Sequence, residues 1–432
     1  MIKRVRITEV CGDLNAVGSK SDAHRALICA ALCEGETEIK IDALNADIEA
    51  TAECLNALGA SVERTRGGYS VRGRAYGGGS LRCGESGSTA RFLIPVAAAL
   101  GKETSFSGVG KLPERPMLPL TEELRRKGCE VTADLLPLTV SGRLSGGRYV
   151  LPGNVSSQFV SGLLMALPLT NEPCEILMSS PLQSELYADM TVKTLSRFGA
   201  QWKKLRADEI EGYFGGYRLD CETGAVCSMG RAEIYDTYKT PGSYTVEGDW
   251  SGASFFVVLA ALSGEITLYG LDENSLQPDR AIAQAVKDAG AEVTWQDGAL
   301  TVKKGQIKPF SVDVSQFPDI FPILAVLACG AKGESLLYNA GRLRIKESDR
   351  IETTAALIRA LGGNVEVGQD FMRIFGTGRL RGGTVDGAGD HRIVMSAAIA
   401  SALCEKEVEI LGAEAVNKSF PTFFEALERV SK

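Results

Sequence analysis

Two kinds of helix-like segment alternate along this chain, and that repeat constrains its fold more than any other feature. Small, apolar segments recur at Lys20–Leu32, Gly87–Leu100, Ser156–Leu167, Ser251–Leu262, Asp319–Cys329 and His391–Leu403. Amphipathic ones lie between them, at Asp47–Leu58, Pro116–Lys127, Asp189–Phe198, Asp279–Ala289, Asp349–Leu361 and Phe420–Val430. Most of the amphipathic segments run into a glycine, at Gly59, Gly128, Gly199, Gly290 and Gly362, and glycine suits the left-handed cap of a helix. β-like stretches follow the glycines, for example Ala60–Arg64, Glu130–Ala133, Ala291–Trp295 and Asn364–Val367. The unit therefore reads strand–helix–strand–helix–strand–strand, with a period of about 70 residues. An amphipathic helix covers one face of a sheet, whereas an Ala-rich helix with little polar surface belongs at the centre. Six such units divide into two globular halves of three. The seams are expected near Asn15–Gly18 and near Tyr238–Glu247, where Pro241-Gly242 interrupts the periodicity. A generic α/β protein without a true repeat is the alternative reading of the same pattern.

Length and charge narrow the function. A chain of 432 residues can bury two substantial cores. A net charge of -7 argues against a broad nucleic-acid or anionic-membrane surface and leaves room for a local cationic cleft. No stretch is apolar enough to span a bilayer and Met1-Ile2-Lys3-Arg4 leads into no signal-peptide core, so the protein is expected to be cytoplasmic. The 11 cysteines lack Cys-x-x-Cys spacing, and several, including Cys29, Cys33, Cys329 and Cys404, fall in apolar helix-like runs. They are expected to be buried free thiols. With 2 histidines, a zinc site would need an unusual ligand set, and no metal is expected.

The basic residues sit at helix entries. Gly18-Ser19-Lys20-Ser21 runs into Arg25, and Gly84-Glu85-Ser86-Gly87-Ser88-Thr89 runs into Arg91. Asn154-Val155-Ser156-Ser157-Gln158 is an uncharged entry full of short hydrogen-bonding side chains. Lys346-Glu347-Ser348-Asp349-Arg350, Asp390-His391-Arg392 and Lys418 continue the theme. Cations beside the free N–H groups of helix N-termini suit small, multiply charged anions. Each entry taken singly also reads as a helix cap with solvated charge. The spacing predicts Lys346 and Arg350 one turn apart on a helix, with Glu347 between cations that favour its ionised form. Asp319, after Pro318, is a second acidic candidate, and His391 reads as a hydrogen-bonded positioning residue. Gly-x-x-x-x-Gly-Lys-[Ser/Thr] is absent, so Gly18–Ser21 is not a Walker A loop.

Taken together, the stretches GSKSDAHRA, CGESGSTAR, LPERP, NVSSQF, SELYADMT, EGDWSGASFF, FPDIFPILAVLA, RIKESDR, DHRIVMSAA and KSFPTFFEAL, which run in order from residue 18 to residue 427, resemble the 3-phosphoshikimate 1-carboxyvinyltransferases of the enolpyruvyl transferase family. The resemblance implies an α/β fold of two inside-out barrel domains, each built from three repeated βαβαββ units. It implies a domain of residues 18–239 and a second formed by residues 1–17 and 240–432, with the active site in a cleft between them that closes on its substrates. The implied reaction moves the enolpyruvyl group of phosphoenolpyruvate to the 5-hydroxyl of 3-phosphoshikimate and releases phosphate, on the route to chorismate and aromatic amino acids. No cofactor is implied, the partners are these two small molecules, and a monomer is the family's usual state.

Carried over by motif, Lys20 reaches both substrates, while Ser21 and Arg25 hold the substituents of the shikimate ring. Ser156, Ser157 and Ser184 hold its phosphate, Gln158 lies against the ring and both substrates, and Tyr187 is a further candidate beside it. Asp319 takes a ring hydroxyl and is a candidate base, with Lys346 close to the same hydroxyl. Phosphoenolpyruvate falls to Gly87, Arg115, Arg350, Arg392 and Lys418, and Glu347 protonates its methylene carbon. These cations are expected to form a cage that overcomes the repulsion between two anions. Glu85 and Arg342 stand where one branch of the family has Asn, and their roles are left open; Glu85 is expected to pair within its loop. Gly87 keeps the small residue associated with glyphosate sensitivity. The sister UDP-N-acetylglucosamine enzymes usually carry a catalytic Cys in the loop that here reads Gly110–Pro116, without one.

Overall fold

The computed structural model describes residues 1–42, 44–73, 76–220 and 238–432. Its helices are α1 (Lys20–Leu32), α2 (Ala46–Ala57), α3 (Gly87–Leu100), α4 (Leu120–Arg126), α5 (Ser157–Ala166), α6 (Leu186–Arg197), α7 (Trp250–Ser263), α8 (Ala281–Asp288), α9 (Phe321–Cys329), α10 (Arg350–Ala360), α11 (His391–Ala400) and α12 (Phe423–Val430). The odd-numbered helices are the small, apolar ones, and every residue of α9 and α11 is buried. The even-numbered helices bury one face, as α8 does with Ile282 and Val286 and α12 with Phe423, Leu427 and Val430. Gly59, Gly128, Gly199, Gly290 and Gly362 all have positive φ, which ends the preceding helix without a Cβ penalty.

Prolines shift several boundaries. The segment expected to start at Asp319 begins as a tight turn, Pro318–Ile320, before α9. Pro322 has no N–H to close onto the carbonyl of Pro318, so regular α-helical bonding starts late. Asp279 likewise lies in a short turn, Pro278–Arg280, ahead of α8. The helix expected from Pro116 begins at Leu120, after Pro119, whose ring disfavours helix at the residue before it. The segment entered by Lys418 is delayed to Phe423 beyond Pro421, so Lys418 closes the short turn Ala413–Lys418 rather than opening a helix.

The strands obey one plan. Gly79–Arg82 leads into α3 and pairs in parallel with Thr104–Ser107, which pairs antiparallel with Leu138–Gly142, and Cys129–Val131 completes that sheet. The same order recurs around α5 and α6 and around α9 and α10. Two repeats take their first strand from far along the chain. Ser243–Thr245 pairs in parallel with Glu36–Lys40 of the α1–α2 repeat. Val10–Asn15 pairs in parallel with Gly264–Tyr269 of the α7–α8 repeat. The last sheet is completed by Ile2–Val5, antiparallel to Val408–Leu411.

These pairings sort the chain into two compact units, Lys20–Val246 and Met1–Ser19 with Glu247–Lys432. Ser243–Thr245 therefore lies with the first unit, not with one starting at residue 240. Each unit has its own apolar core, with Leu27, Phe92 and Leu163 in the first and Phe256, Leu324 and Ile399 in the second. Each such side chain contributes roughly 1.5–3 kcal/mol when fully buried. In the first core α3 and α5 approach closely at Gly162, where a Cβ would meet Pro95 Cγ at 2.8 Å and press on the Arg91 carbonyl. Pro95 has no N–H to offer that carbonyl, and the glycine lets the neighbouring helix pack against it. The described cysteines are free thiols; Cys29, Cys33 and Cys329 are buried, Cys404 is half-buried, and Cys221 and Cys227 lie outside the described residues.

Candidate active site

The sequence-selected residues fall into two groups, one in each unit. In the 20–246 unit they gather at the starts of α1, α3 and α5. Lys20 opens α1, and its ammonium lies 2.8 Å from Asp47 in the first turn of α2. One turn after Ser21, Arg25 donates back to the Ser21 carbonyl at 2.6 Å. Its remaining hydrogen bonds go to Thr191 Oγ1 at 2.7 Å, the Tyr187 carbonyl at 2.9 Å and Ser161 Oγ at 3.2 Å. Burial lowers its pKa to about 10, opposed chiefly by Asp22, so the guanidinium remains charged at neutral pH.

Ser86 caps α3 by accepting the Thr89 N–H. The guanidinium of Arg115 covers Gly87: a Cβ there would stand 2.8 Å from Arg115 Nη1. Gln158 ties two helix starts together, donating to Ser88 Oγ at 2.9 Å and accepting from Arg91 at 2.8 Å. Ser156 caps α5, Ser157 is buried behind it, and Ser184 is buried with a left-handed φ of 55°. Glu85 is exposed, with its carboxylate against Gly110 of the neighbouring loop.

In the other unit the carboxylates and cations interlock. Arg350, the first residue of α10, donates to Asp319 at 2.7 Å, Glu347 at 2.7 Å and Asp390 at 2.8 Å. Lys346 lies 3.4 Å from Asp319, and Arg392 lies 3.3 Å from the same carboxylate while donating to its backbone carbonyl at 2.9 Å. Lys346 and Arg350 do not share a helix: Lys346 ends the short turn Gly341–Ile345, and Asp349 caps α10 by accepting from Ile351 and Glu352. They meet on Asp319 instead. Arg342, in that short turn, is half-buried and its charge acts on Lys346. Lys418 is half-buried, and His391 is buried at the start of α11.

Burial opposes ionisation of Asp319, but Arg392, Lys346 and Arg350 outweigh it and hold its pKa well below the usual carboxylate range. Burial lowers Lys346 to about 8, against the pull of Asp319 and with help from the Arg350 charge. Asp279 is buried behind Arg392, 3.8 Å from its guanidinium, and burial raises its pKa to about 6. The group is thus an ion-paired network rather than a cage of cations. Its positive groups already face Asp319, Glu347, Asp390 and Asp279.

The residues that sequence reasoning missed are these partners. Asp47, Thr191 and Ser161 look like ordinary helix residues, and only the tertiary fold brings them to Lys20 and Arg25. Asp390 carried a signal, since an acidic residue directly before an apolar helix is a cap; here it caps α11 while pairing with Arg350. Among the described residues no group of three or more His, Cys, Asp or Glu side chains could hold a metal ion, and no helix is long and apolar enough to cross a membrane.

The profile of the family described as EPSP synthase (3-phosphoshikimate 1-carboxyvinyltransferase) matches residues 5–218 and 226–427. A 3-phosphoshikimate 1-carboxyvinyltransferase of Clostridium kluyveri is 38% identical over 425 residues, covering 97% of this chain and 94% of the relative. One from Brachyspira hyodysenteriae is 37% identical and covers 100% of this chain and 99% of its own length. Among solved structures, an EPSP synthase from Acinetobacter baumannii superposes with a TM-score of 0.78 at 26% identity, covering 100% of this chain and 98% of that one.

Proposed function

The chain belongs to the EPSP synthase (3-phosphoshikimate 1-carboxyvinyltransferase) family and transfers the enolpyruvyl group of phosphoenolpyruvate to 3-phosphoshikimate in the shikimate pathway, and from that premise we propose how its residues divide the work. The observation that carries the proposal is the meeting of Asp319, Glu347 and Lys346 around one buried guanidinium, Arg350.

In this reading 3-phosphoshikimate lies against the 20–246 unit. Ser156, Ser157 and Ser184 take its phosphate, Arg25 and Ser21 its ring substituents, and Gln158 and Tyr187 its ring. Phosphoenolpyruvate is held by the Gly87 backbone, Lys20, Arg115, Arg350, Arg392 and Lys418. Asp319 and Lys346 receive the 5-hydroxyl. As that hydroxyl gives up its proton to Asp319 or Lys20, its oxygen bonds to C2 of phosphoenolpyruvate, and Glu347 protonates C3. The resulting intermediate carries both phosphates. Loss of a proton from the new methyl group then re-forms the double bond as the C2–O bond to phosphate breaks.

The ion pairs support this division. Guanidinium and ammonium contacts favour ionised carboxylates, so incoming anions exchange places with Asp319 and Glu347 on Arg350 and with Asp47 on Lys20 instead of meeting bare charge. The displaced carboxylates are then available to move protons. Glu85 and Arg342 are given no step. The enzyme works in the cytoplasm as a monomer in this reading, with no cofactor.

The test is phosphate release from phosphoenolpyruvate with 3-phosphoshikimate, run beside UDP-N-acetylglucosamine. Release only with the shikimate substrate is expected. Release only with the nucleotide sugar would overturn the substrate assignment.

A further inference from the structure

A fully buried histidine that the chemistry above does not use sits on α1, next to Arg25 and one turn from Lys20. His24 Nδ1 lies 2.7 Å from Thr51 Oγ1 on α2. Thr51 Oγ1 lies 2.6 Å from Thr89 Oγ1 on α3, whose hydroxyl donates to Ser86 Oγ at 2.7 Å. Ser86 caps α3 and also receives the Thr89 N–H at 3.2 Å. A chain of four side chains thus runs from α1 through α2 to the entry of α3, whose first residue is Gly87.

Each hydroxyl has one proton, and that fixes the direction of the chain. Thr89 donates to Ser86, so across 2.6 Å Thr51 donates to Thr89 in preference to the Asp47 carbonyl 3.4 Å away, and itself accepts from His24 Nδ1–H. Nε2 is left with a lone pair and, among the described residues, has no hydrogen-bond partner in a fully buried position. An orphan of this kind costs stability and calls for a compensating role. Burial lowers the imidazole pKa to about 3, with Asp47 opposing, so the ring is neutral wherever the protein is folded and active. The ring also meets Phe92 of α3 edge-on at 6.4 Å, and the adjacent Arg25 guanidinium lies 5.0 Å from that same ring. Consecutive residues of α1 therefore brace α3 from two points.

We infer that His24 is a positioning residue: through Thr51 and Thr89 it fixes the Ser86–Gly87 entry of α3, and hence the backbone that receives phosphoenolpyruvate, against Lys20 and Arg25. The inference rests on the assignment of phosphoenolpyruvate to Gly87. Gly87 has no side chain to hold itself in place, and a helix entry serving a reaction must stay within about 0.5 Å of its productive position. The hydroxyl chain supplies that constraint.

The test compares Thr51→Val, which keeps the shape and removes the middle hydroxyl, with Thr51→Ser, which keeps the hydroxyl. Thr51→Val should raise KM for phosphoenolpyruvate about tenfold and leave KM for 3-phosphoshikimate within about twofold. Thr51→Ser should stay within about twofold of the wild type for both. His24→Leu should match Thr51→Val, and the double variant should be no worse than either single one, because all three cut one chain. KM values that rise together for both substrates, fold-changes that multiply in the double variant, or no change at all would overturn the role of His24. Should either single variant fail to fold, Thr89→Val cuts the same chain at its α3 end and is read in the same way. Gly87→Ala separates the two levels of inference. If it leaves the phosphoenolpyruvate KM unchanged, the Gly87 assignment fails and takes this one with it. If it raises that KM while Thr51→Val does not, only the role of His24 fails.

Discussion

Arg350 donates to Asp319 across 2.7 Å, joining the first residue of α10 to the turn that precedes α9. Arg350 is almost wholly buried, and its other donors reach Glu347 and Asp390. One guanidinium therefore fixes the positions of three carboxylates, two of which are assigned proton chemistry.

Removing that guanidinium should destabilise the fold as well as remove a ligand of phosphoenolpyruvate. Arg350→Met leaves Asp319 to Lys346 and Arg392 but takes from Glu347 and Asp390 the guanidinium between them, and breaking a buried pair costs about 3–5 kcal/mol. Urea titration should show a loss of that size. Arg350→Lys keeps the charge but not the forked geometry, and should recover less than half of it. A loss under about 1 kcal/mol for Arg350→Met would mean the carboxylates find other partners or protons.

Glu347→Gln keeps the shape and removes the acid. Turnover should fall by a factor of about 10²–10⁴, with both KM values within a few-fold of the wild type. Rapid-quench measurement locates the loss: if addition still runs at the wild-type rate, Glu347 is not the proton donor to C3.

Lys346 sets an alkaline limit. Its pKa is lowered to about 8, so the ammonium is present below that pH and is lost above it. If the charge helps hold the substrates, kcat/KM for the free enzyme should decline as pH rises through about 8. Lys346→Arg should move that limb upward by more than a unit, since a guanidinium stays charged. An alkaline limb that does not move between the two proteins would assign it to another group.

The close approach of α3 and α5 predicts a packing lesion far from the charges. A methyl at Gly162 must displace the Pro95 ring or the Arg91 carbonyl. Gly162→Ala should cost roughly 1–3 kcal/mol, read as a lower urea midpoint, and Gly162→Val should cost more. Because Arg91 also holds Gln158, the valine variant should weaken substrate binding too.

Much of this was legible in the sequence because the signals were local. Helical period and glycine caps placed the twelve helices of the described residues to within a few residues, with the larger slips at the starts of α4, beyond Pro119, of α12, beyond Pro421, and of α6, which begins three residues before Asp189. The charged residues at α1, α3, α10 and α11 stand out for the same reason: a polar residue at the mouth of an apolar helix breaks a local pattern. The partners do not. Nothing near Asp47, Thr51 or Thr191 marks them as neighbours of Lys20, His24 or Arg25, because those contacts arise only when separate helices pack. The pairing of Lys346 with Arg350 was expected for the wrong reason: helical spacing suggested it, while a shared carboxylate produces it.

The borrowed strands also set a timetable for synthesis. Val10–Asn15 has its partner at Gly264–Tyr269, and Ile2–Val5 has its partner at Val408–Leu411, near the other end of the chain. At ribosomal rates of about 5–20 residues per second, the amino terminus waits roughly ten to eighty seconds with exposed strand edges before its sheets exist. The 20–246 unit is likewise unsealed until Ser243–Thr245 emerges. A nascent chain stalled shortly before that strand should attract more chaperone than one stalled just after it, which keeps only the unpaired amino-terminal strands exposed.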